Sequence, residues 1–276
     1  MRLEIDSNYV AVIMSVYKND KAEWLDSSIN SILEQTYSKV KLLIAVDGSV
    51  PDGITSLLKN YQSNPKVDVF YFDECKGLAT RLNFLIEHAL SVPNVRYIAR
   101  MDADDISHKS RLKRQVRYID SNNIDVLGSS VIEIDEKGNH IFFKKAEVED
   151  SVLKRNIILR CPFNHPSVIF QRTVFDDGYR YDASLLNTQD YKLWVDLAFD
   201  GYTFGNHQEP LLFFRVSSDF HSRRNLKKAR NDFEQRVVAM KKLKIVNLRN
   251  VTHTVLLLIL RVSPEFVSKI AYKYLR

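Results

Sequence analysis

Residues 95–105, VRYIARMDADD, decide the fold of this 276-residue chain. A largely apolar run passes directly into three closely spaced carboxylates, Asp102, Asp104 and Asp105. Because ligands bind at the carboxyl ends of strands in an open α/β sheet, the pattern predicts a buried strand that ends at a binding site. Crowded carboxylates repel one another, which favours a divalent cation such as Mn²⁺ or Mg²⁺ among them. The alternative is an acidic N-cap before a helix near Lys109.

Three strand–helix units precede this stretch. Apolar runs predict strands at residues 10–16, 40–46, 67–72 and 95–101, and helical spacing of apolar residues predicts helices at 23–36, 54–61 and 77–90. This alternation predicts an α/β fold with a mostly parallel, doubly wound sheet and right-handed crossovers.

The pattern changes after residue 107. It predicts a basic helix at 109–121, a strand pair within 126–141, a strand at 168–170, a helix at 190–199 and a helical, Lys/Arg-rich end. We therefore divide the chain into a first half (1–107), a second half (108–215) and a basic helical tail (216–276).

Composition favours a cytoplasmic protein. Residues 1–9 lack an apolar segment, so no secretory signal is expected, and the apolar run 255–260 is far shorter than the ~20 residues that span a bilayer. Cys75 and Cys161 form neither a CxxC pair nor a disulfide framework, which fits a reducing compartment.

The positive charge lies in the tail. Residues 221–276 carry fourteen Lys/Arg and three Asp/Glu, a net +11, whereas the whole chain is +6. Basic residues beside apolar helical runs predict a helix lying in an anionic membrane interface. Nucleic acid is not an expected partner, because the aromatic residues sit within apolar runs. A solvated face on a packing or dimerising helix remains the alternative.

Three blocks together resemble the large family 2 of inverting glycosyltransferases, which have the GT-A fold. They are residues 12–17 (VIMSVY), 45–49 (AVDGS) and 100–105 (RMDADD). The resemblance implies a nucleotide-sugar donor and a divalent cation, Mn²⁺ or Mg²⁺. It makes residues 1–107 the nucleotide-sugar-binding half and residues 108–215 the acceptor-binding half. The implied donor-binding residues are Val16, Tyr17, Asp47, Arg81, Asp102 and Asp104, and the implied metal ligands are Asp104 and Asp105.

The resemblance assigns Asp47 to the nucleotide base, since family members carry an acidic residue after the second strand. Many members carry two there, whereas this chain has Val46 before Asp47. Arg81 lies in a block, residues 76–83, that resembles a family segment along the nucleotide. For Arg81 the alternative is a solvated charge on a helix.

A second carboxylate is required, because inverting transfer needs a base that takes the proton of the acceptor hydroxyl from across the sugar. Residues 188–194, TQDYKLW, resemble the acidic-acidic-Tyr-x-Leu-Trp block of the family, which implies Asp190 as that base. Gln189 replaces the first acid. The alternative is that Asp190 caps a helix whose apolar residues pack in the core. A further matching block, residues 164–167, contains His165, to which we assign no catalytic role.

The resemblance implies an enzyme of O-antigen or capsule assembly that transfers a sugar from a UDP-sugar to a lipid-linked acceptor. Similar enzymes add β-1,3-linked galactose or glucose to N-acetylglucosamine on diphospho-undecaprenol, at the cytoplasmic face of the inner membrane. The alternative is a glycosyltransferase that uses another donor, or an acceptor of capsule or exopolysaccharide synthesis. A haloacid-dehalogenase-type phosphatase is disfavoured because it needs the acidic motif on its first strand. A non-enzymatic membrane-binding protein would leave the acidic residues without a role.

Overall fold

The computed structural model describes residues 8–185, 187–216 and 226–263. In these ranges the strands are β1 Tyr9–Val16, β2 Val40–Asp47, β3 Val67–Phe72, β4 Val95–Arg100, β5 Ile106–Ser107, β6 Val126–Ile134, β7 His140–Lys144, β8 Ile169–Gln171 and β9 Phe204–Arg215. The helices are α1 Ala22–Leu33, α2 Asp52–Tyr61, α3 Leu78–Ser91, α4 Arg111–Asn122, α5 Asp150–Arg155, α6 Thr173–Asp176, α7 Gln189–Phe199, α8 Leu226–Lys242 and α9 Leu248–Val262.

The first four strands form a parallel sheet in the order β3-β2-β1-β4. β1 is buried on both faces: Ala11 and Ile13 pack on the side of α3 and α7, whereas Val12 and Met14 pack on the side of α1 and α4. Burial on both faces explains why these strands read as continuous apolar runs. The strand and helix predictions for this half are confirmed.

The second half of the sheet is mixed rather than parallel. β8 runs antiparallel to β4 and β6, β9 runs parallel to β6, and the short β5 runs antiparallel to β9. The predicted strand pair in 126–141 is the antiparallel pair of β6 and β7. The sheet is continuous through the boundary placed at residue 107, and the division into two functional halves stays a prediction.

The sequence analysis missed the long strand β9. Its sequence, FGNHQEPLLFFR, has a polar centre and a proline, so neither alternation nor an apolar run marks it. Its pairing with β6 is irregular at Ser129–Val131, which accommodates Pro210. β9 ends at Arg215, whose backbone N–H donates to Asp105 of the acidic cluster.

The tail forms two helices in the described part of the chain. α8 packs on the body, and its Asp232 and Arg236 form a buried ion pair of 3.0 Å. α9 packs on α8 with polar side chains inward, because Asn250 and Thr254 are buried. No helix among the described residues is long and apolar enough to cross a membrane. Residues 217–225 and 264–276 of the predicted tail lie outside the described residues.

Close packing between β6 and β9 yields a stability prediction at Gly128. A methyl group there would overlap the Asn206 Oδ1 atom and lie 2.9 Å from Phe163 Cδ1. Asn206 cannot move freely, because its amide group donates to the carbonyls of Glu147 and Pro162. Gly128→Ala should therefore lower the free energy of unfolding by ~1–3 kcal/mol, the usual cost of overpacking.

Gly205→Ala is the matched control for this prediction. Its added methyl would meet only the end of the Ile124 side chain, at 2.7 Å, which can change rotamer. Chemical denaturation of both variants measures the difference. Equal losses of stability would contradict the packing described for Gly128.

Candidate active site

The acidic cluster follows the end of β4. One carboxylate oxygen from each of Asp102, Asp104 and Asp105 lies within 4.8 Å of the others. Asp105 is fully buried: its Oδ1 accepts the backbone N–H of Arg215 at 2.8 Å, and its Oδ2 has no hydrogen-bond partner among the described residues. Three hard oxygen donors with one buried oxygen left unpaired are the ligand set expected for Mg²⁺ or Mn²⁺.

The shifted pKa values of the cluster also favour a bound divalent cation. Burial and, to a lesser extent, the neighbouring Asp102 charge raise the pKa of Asp104 to about 6. Burial and the charges of Asp104 and Asp102 raise the pKa of Asp105 well above its usual value. The carboxylates therefore repel one another when ionised, and a bound divalent cation would remove that repulsion.

The loop that carries the cluster is fixed from two sides. Ser28 of α1 donates a hydrogen bond of 2.8 Å to the backbone carbonyl of Asp102. From the other side, Arg215 Nε donates to the Asp104 carbonyl at 2.8 Å, in addition to the backbone bond to Asp105. Thus β9, which sequence reasoning missed, holds the acidic loop in place.

Arg100, the last residue of β4, is a site residue that sequence reasoning also missed. It is 2% exposed, forms an ion pair with Asp102, and its Nε has no hydrogen-bond partner among the described residues. Burial raises the pKa values of Asp105 and Asp190, and the positive charge of Arg100 partly opposes that rise. Arg100 therefore interacts electrostatically with both the acidic cluster and the second carboxylate. The sequence signal that could have identified Arg100 is a basic residue inside a buried strand, just before the acidic motif.

Asp47 and Arg81 form a buried ion pair at the end of β2, with Arg81 Nε 2.6 Å from Asp47 Oδ1. Asp47 also accepts the backbone N–H groups of Lys76 and Gly77 at 2.9 and 2.8 Å. Burial raises the pKa of Asp47, but these hydrogen bonds outweigh it and lower the pKa overall. Arg81 is 4% exposed, so the alternative of a solvated helix charge is wrong. The role of the pair in nucleotide binding stays a prediction.

The carboxyl ends of β1, β2 and β4 meet at one edge of the sheet. This edge brings together Val16 and Tyr17 after β1, Asp47 after β2, and the acidic cluster after β4. The backbone N–H of Tyr17 donates to Asp20 at 2.8 Å, which fixes the turn after β1. The predicted donor-binding residues therefore share one edge, as the strand-end rule requires.

Asp190 lies in the first turn of α7 and is half-buried. Burial raises its pKa, while the backbone N–H of Tyr191 and the charge of Arg100 partly oppose this shift. The N-cap position is Thr188, with no side-chain capping bond, so the capping alternative for Asp190 is not what the structure shows. The packing part of that alternative holds, because Tyr191 and Trp194 are buried.

His165 and Tyr181 lie beside Asp190 and Arg100. The His165 Nε2 and Tyr181 Oη atoms share a hydrogen bond of 2.9 Å, and Asn83 binds both backbone groups of Tyr181. Burial and the Arg100 charge hold the pKa of His165 far below its usual value, so its ring is neutral. Tyr181 lies in an irregular segment with no sequence signal, and only the three-dimensional structure could reveal it.

The family model described as Glycosyl transferase family 2 matches residues 11–178. The chain belongs to this family. The match includes the acidic cluster, Arg100 and His165, and it ends before Asp190.

Two curated relatives come from Escherichia coli. The O-antigen biosynthesis glycosyltransferase WbnJ is 30% identical over 210 residues, covering 75% of this chain and 79% of WbnJ. A UDP-Gal:α-D-GlcNAc-diphosphoundecaprenol β-1,3-galactosyltransferase is 27% identical over 221 residues, covering 79% of this chain and 78% of that enzyme.

The fold is also similar to that of a solved structure, Staphylococcus aureus TarS (residues 1–349) in complex with UDP. The TM-score is 0.62 at 16% sequence identity, covering 94% of this chain and 82% of the TarS chain. At this identity the similarity shows the fold alone, which is the GT-A fold of family 2 glycosyltransferases.

The geometry yields a direct prediction for Asp190. Asp190→Asn keeps the size of the side chain but removes its ability to accept a proton. If Asp190 is the general base, the variant should lose at least ~10²-fold in kcat, as expected for removal of acid–base catalysis. Its affinity for the nucleotide should be unchanged, since the acidic cluster is intact.

The measurements are initial rates of sugar transfer and calorimetric titration of the nucleotide. Asp196→Asn, on the same helix, serves as the control because its carboxylate pairs with Lys192 and Lys242. Near-normal turnover of Asp190→Asn would remove this residue from the mechanism.

Proposed function

We propose that this chain is an inverting glycosyltransferase that moves a hexose from a UDP-sugar to an N-acetylglucosamine-type sugar on undecaprenyl diphosphate, in surface polysaccharide synthesis. One observation carries the proposal: an acidic cluster that fits a metal and a separate carboxylate, Asp190, both interact with the buried Arg100. The names of the two E. coli relatives support the polysaccharide pathway and the acceptor. The UDP complex of TarS supports the nucleotide.

The acidic cluster serves the leaving group. Asp102, Asp104 and Asp105 would hold a Mn²⁺ or Mg²⁺ ion, which neutralises the negative charge that develops on the departing diphosphate. Arg100 adds a buried positive charge to the same region, and burial strengthens its field because few water molecules screen it.

Asp190 serves the acceptor. It takes the proton of the acceptor hydroxyl while that oxygen attacks the anomeric carbon and the bond from this carbon to the diphosphate oxygen breaks. Attack from the side opposite the leaving group inverts the anomeric configuration. The raised pKa makes the Asp190 carboxylate a stronger base than an exposed aspartate.

A transfer assay tests the proposal. Purified protein is incubated with Mn²⁺, a synthetic GlcNAc-diphospho-lipid acceptor, and UDP-galactose, UDP-glucose, UDP-N-acetylglucosamine or GDP-mannose in turn. We expect transfer from one UDP-hexose only, with product formation lost in EDTA and β-linkage in the product. Transfer from GDP-mannose alone, or none to the diphospho-lipid, would contradict the proposed donor or acceptor.

We also propose that α9 holds the enzyme at the anionic, cytoplasmic face of the inner membrane. The outward side of α9 is apolar: Leu256 is 64% exposed and Ile259 is 54% exposed. Exposed basic residues, Lys241, Lys244 and Arg249, lie beside it. An apolar stripe flanked by cations fits a lipid surface with anionic headgroups.

Substitution of the apolar face tests membrane attachment. Leu256→Gln combined with Ile259→Gln leaves the buried Asn250 and Thr254 in place, so the fold should be retained. We expect co-sedimentation with phosphatidylglycerol-containing vesicles to fall several-fold, as it should for a chain truncated before Asn247. Thr252→Gln, on the exposed side of the same helix, is the control.

Sedimentation velocity of the wild type and the double variant tests whether a second copy of the chain, instead of lipid, covers this face. Unchanged vesicle binding would contradict the membrane role of α9, and a wild-type dimer that the double variant converts to monomer would show that a second copy covers this face.

A further inference from the structure

A cationic cavity lies outside the residues assigned so far. It has a volume of about 220 Å³ and is lined by the loop after β7, by α5 and by the segment before His165. Small-molecule sites are commonly ~300–1,000 Å³, so this cavity is too small for a whole nucleotide sugar and suits a phosphate-bearing fragment. The polar and charged residues that line it are Lys144, Lys145, Glu147, Asn156, Arg160 and Asn164.

Lys144 and Arg160 are neighbouring cations in the lining of this cavity. Lys144 and Arg160 are close enough for the Arg160 charge to lower the pKa of Lys144, to which burial contributes more. Neither forms an ion pair with any residue that the structure describes. The one lining carboxylate, Glu147, accepts the N–H groups of Val148 and Glu149. Two neighbouring cations without a counter-ion repel each other, and a bound anion would relieve that repulsion.

The cavity adjoins the proposed general base. Cys161 lines the cavity, and burial together with the negative charge of Asp190 raises the pKa of its thiol to about 12. Phe163, also in the lining, makes an edge contact of 4.9 Å with Trp194 of α7. The cavity is therefore next to α7, which carries Asp190, the residue proposed to act on the acceptor.

The cavity also adjoins the apolar helix. Arg249 in the first turn of α9 donates a hydrogen bond of 3.3 Å to Asn156, which lines the cavity. The cavity thus lies beside α7, which carries Asp190, and beside the first turn of α9. A ligand with a sugar hydroxyl, then an anion, then an apolar chain would contact α7, the cations and α9 at once.

We propose that the cavity is the anion subsite of the acceptor, in which Lys144 and Arg160 bind the acceptor's diphosphate. Its sugar then reaches Asp190, and its lipid extends along α9. This inference rests on the proposed function, because it specifies how the same acceptor is recognised. Inorganic phosphate or pyrophosphate shares the anionic chemistry and is distinguished in the test.

The test compares two acceptors in the wild type and in Lys144→Ala, Arg160→Ala and the double variant. One acceptor is GlcNAc-diphospho-lipid, and the other is an alkyl GlcNAc without phosphate. We expect the KM for the diphospho-lipid to rise about 10- to 100-fold in the variants, as for loss of charge-assisted hydrogen bonds. The KM for the donor and the KM for alkyl GlcNAc should change less than ~2-fold, since neither ligand reaches the cations.

Matched controls are Lys137→Ala and Arg155→Ala, because both side chains are exposed and neither lines the cavity. Inorganic pyrophosphate should compete with the diphospho-lipid in the wild type and lose that competition in the double variant. A contrary result is also possible: the double variant loses pyrophosphate binding, but its KM for the acceptor is unchanged. That result would assign the cavity to free anions and overturn the inference.

Two failures remain distinct. If the wild type uses the diphospho-lipid and the variants use it equally well, the subsite is wrong but the proposed function stands. If the wild type uses alkyl GlcNAc and not the diphospho-lipid, the proposed acceptor is wrong and the subsite falls with it. Circular dichroism of each variant excludes unfolding as the cause of a raised KM.

Discussion

Repulsion among three carboxylates after β4 is the constraint on which the rest of the structure depends. Asp102, Asp104 and Asp105 lie close together and Asp105 is fully buried, so their mutual repulsion must be balanced by contacts that hold the loop. Ser28 fixes it from the parallel half of the sheet, and Arg215 fixes it from the mixed half. The two halves are thereby joined at the site itself, and the remaining charge is left for a metal ion to balance.

The mixed half of the sheet supplies the second carboxylate at a distance from the first. Trp194 anchors α7 by stacking on Phe170 of β8, with ring centroids 5.5 Å apart, and so places Asp190 in the first turn. The positive charge of Arg100 is paired with Asp102 and also stabilises the ionised form of Asp190. In the proposed mechanism one centre would balance the charge of a leaving diphosphate while the other would accept a proton.

The sequence predicted the parts that depend on local pattern. Strands β1 to β4 were predictable because burial on both faces demands apolar runs, and the acidic cluster because it follows such a run. Strand β9 was not predictable, because its polar centre and Pro210 give it no strand pattern. It is stabilised by pairing with β6, which is distant in sequence. Tyr181 reaches the site only through tertiary packing. The orientation of α9 was also unpredictable, since it turns Asn250 and Thr254 inward against the usual rule of burial.

The central claim is that the acidic cluster binds a divalent cation together with the donor diphosphate. Electron paramagnetic resonance of Mn²⁺, titrated with and without UDP, tests it most directly. The account predicts that UDP tightens Mn²⁺ binding about 5- to 150-fold, the usual range of such coupling, and that Asp105→Asn abolishes the effect. UDP binding that is equally tight without metal, and unchanged in Asp105→Asn, would contradict the account.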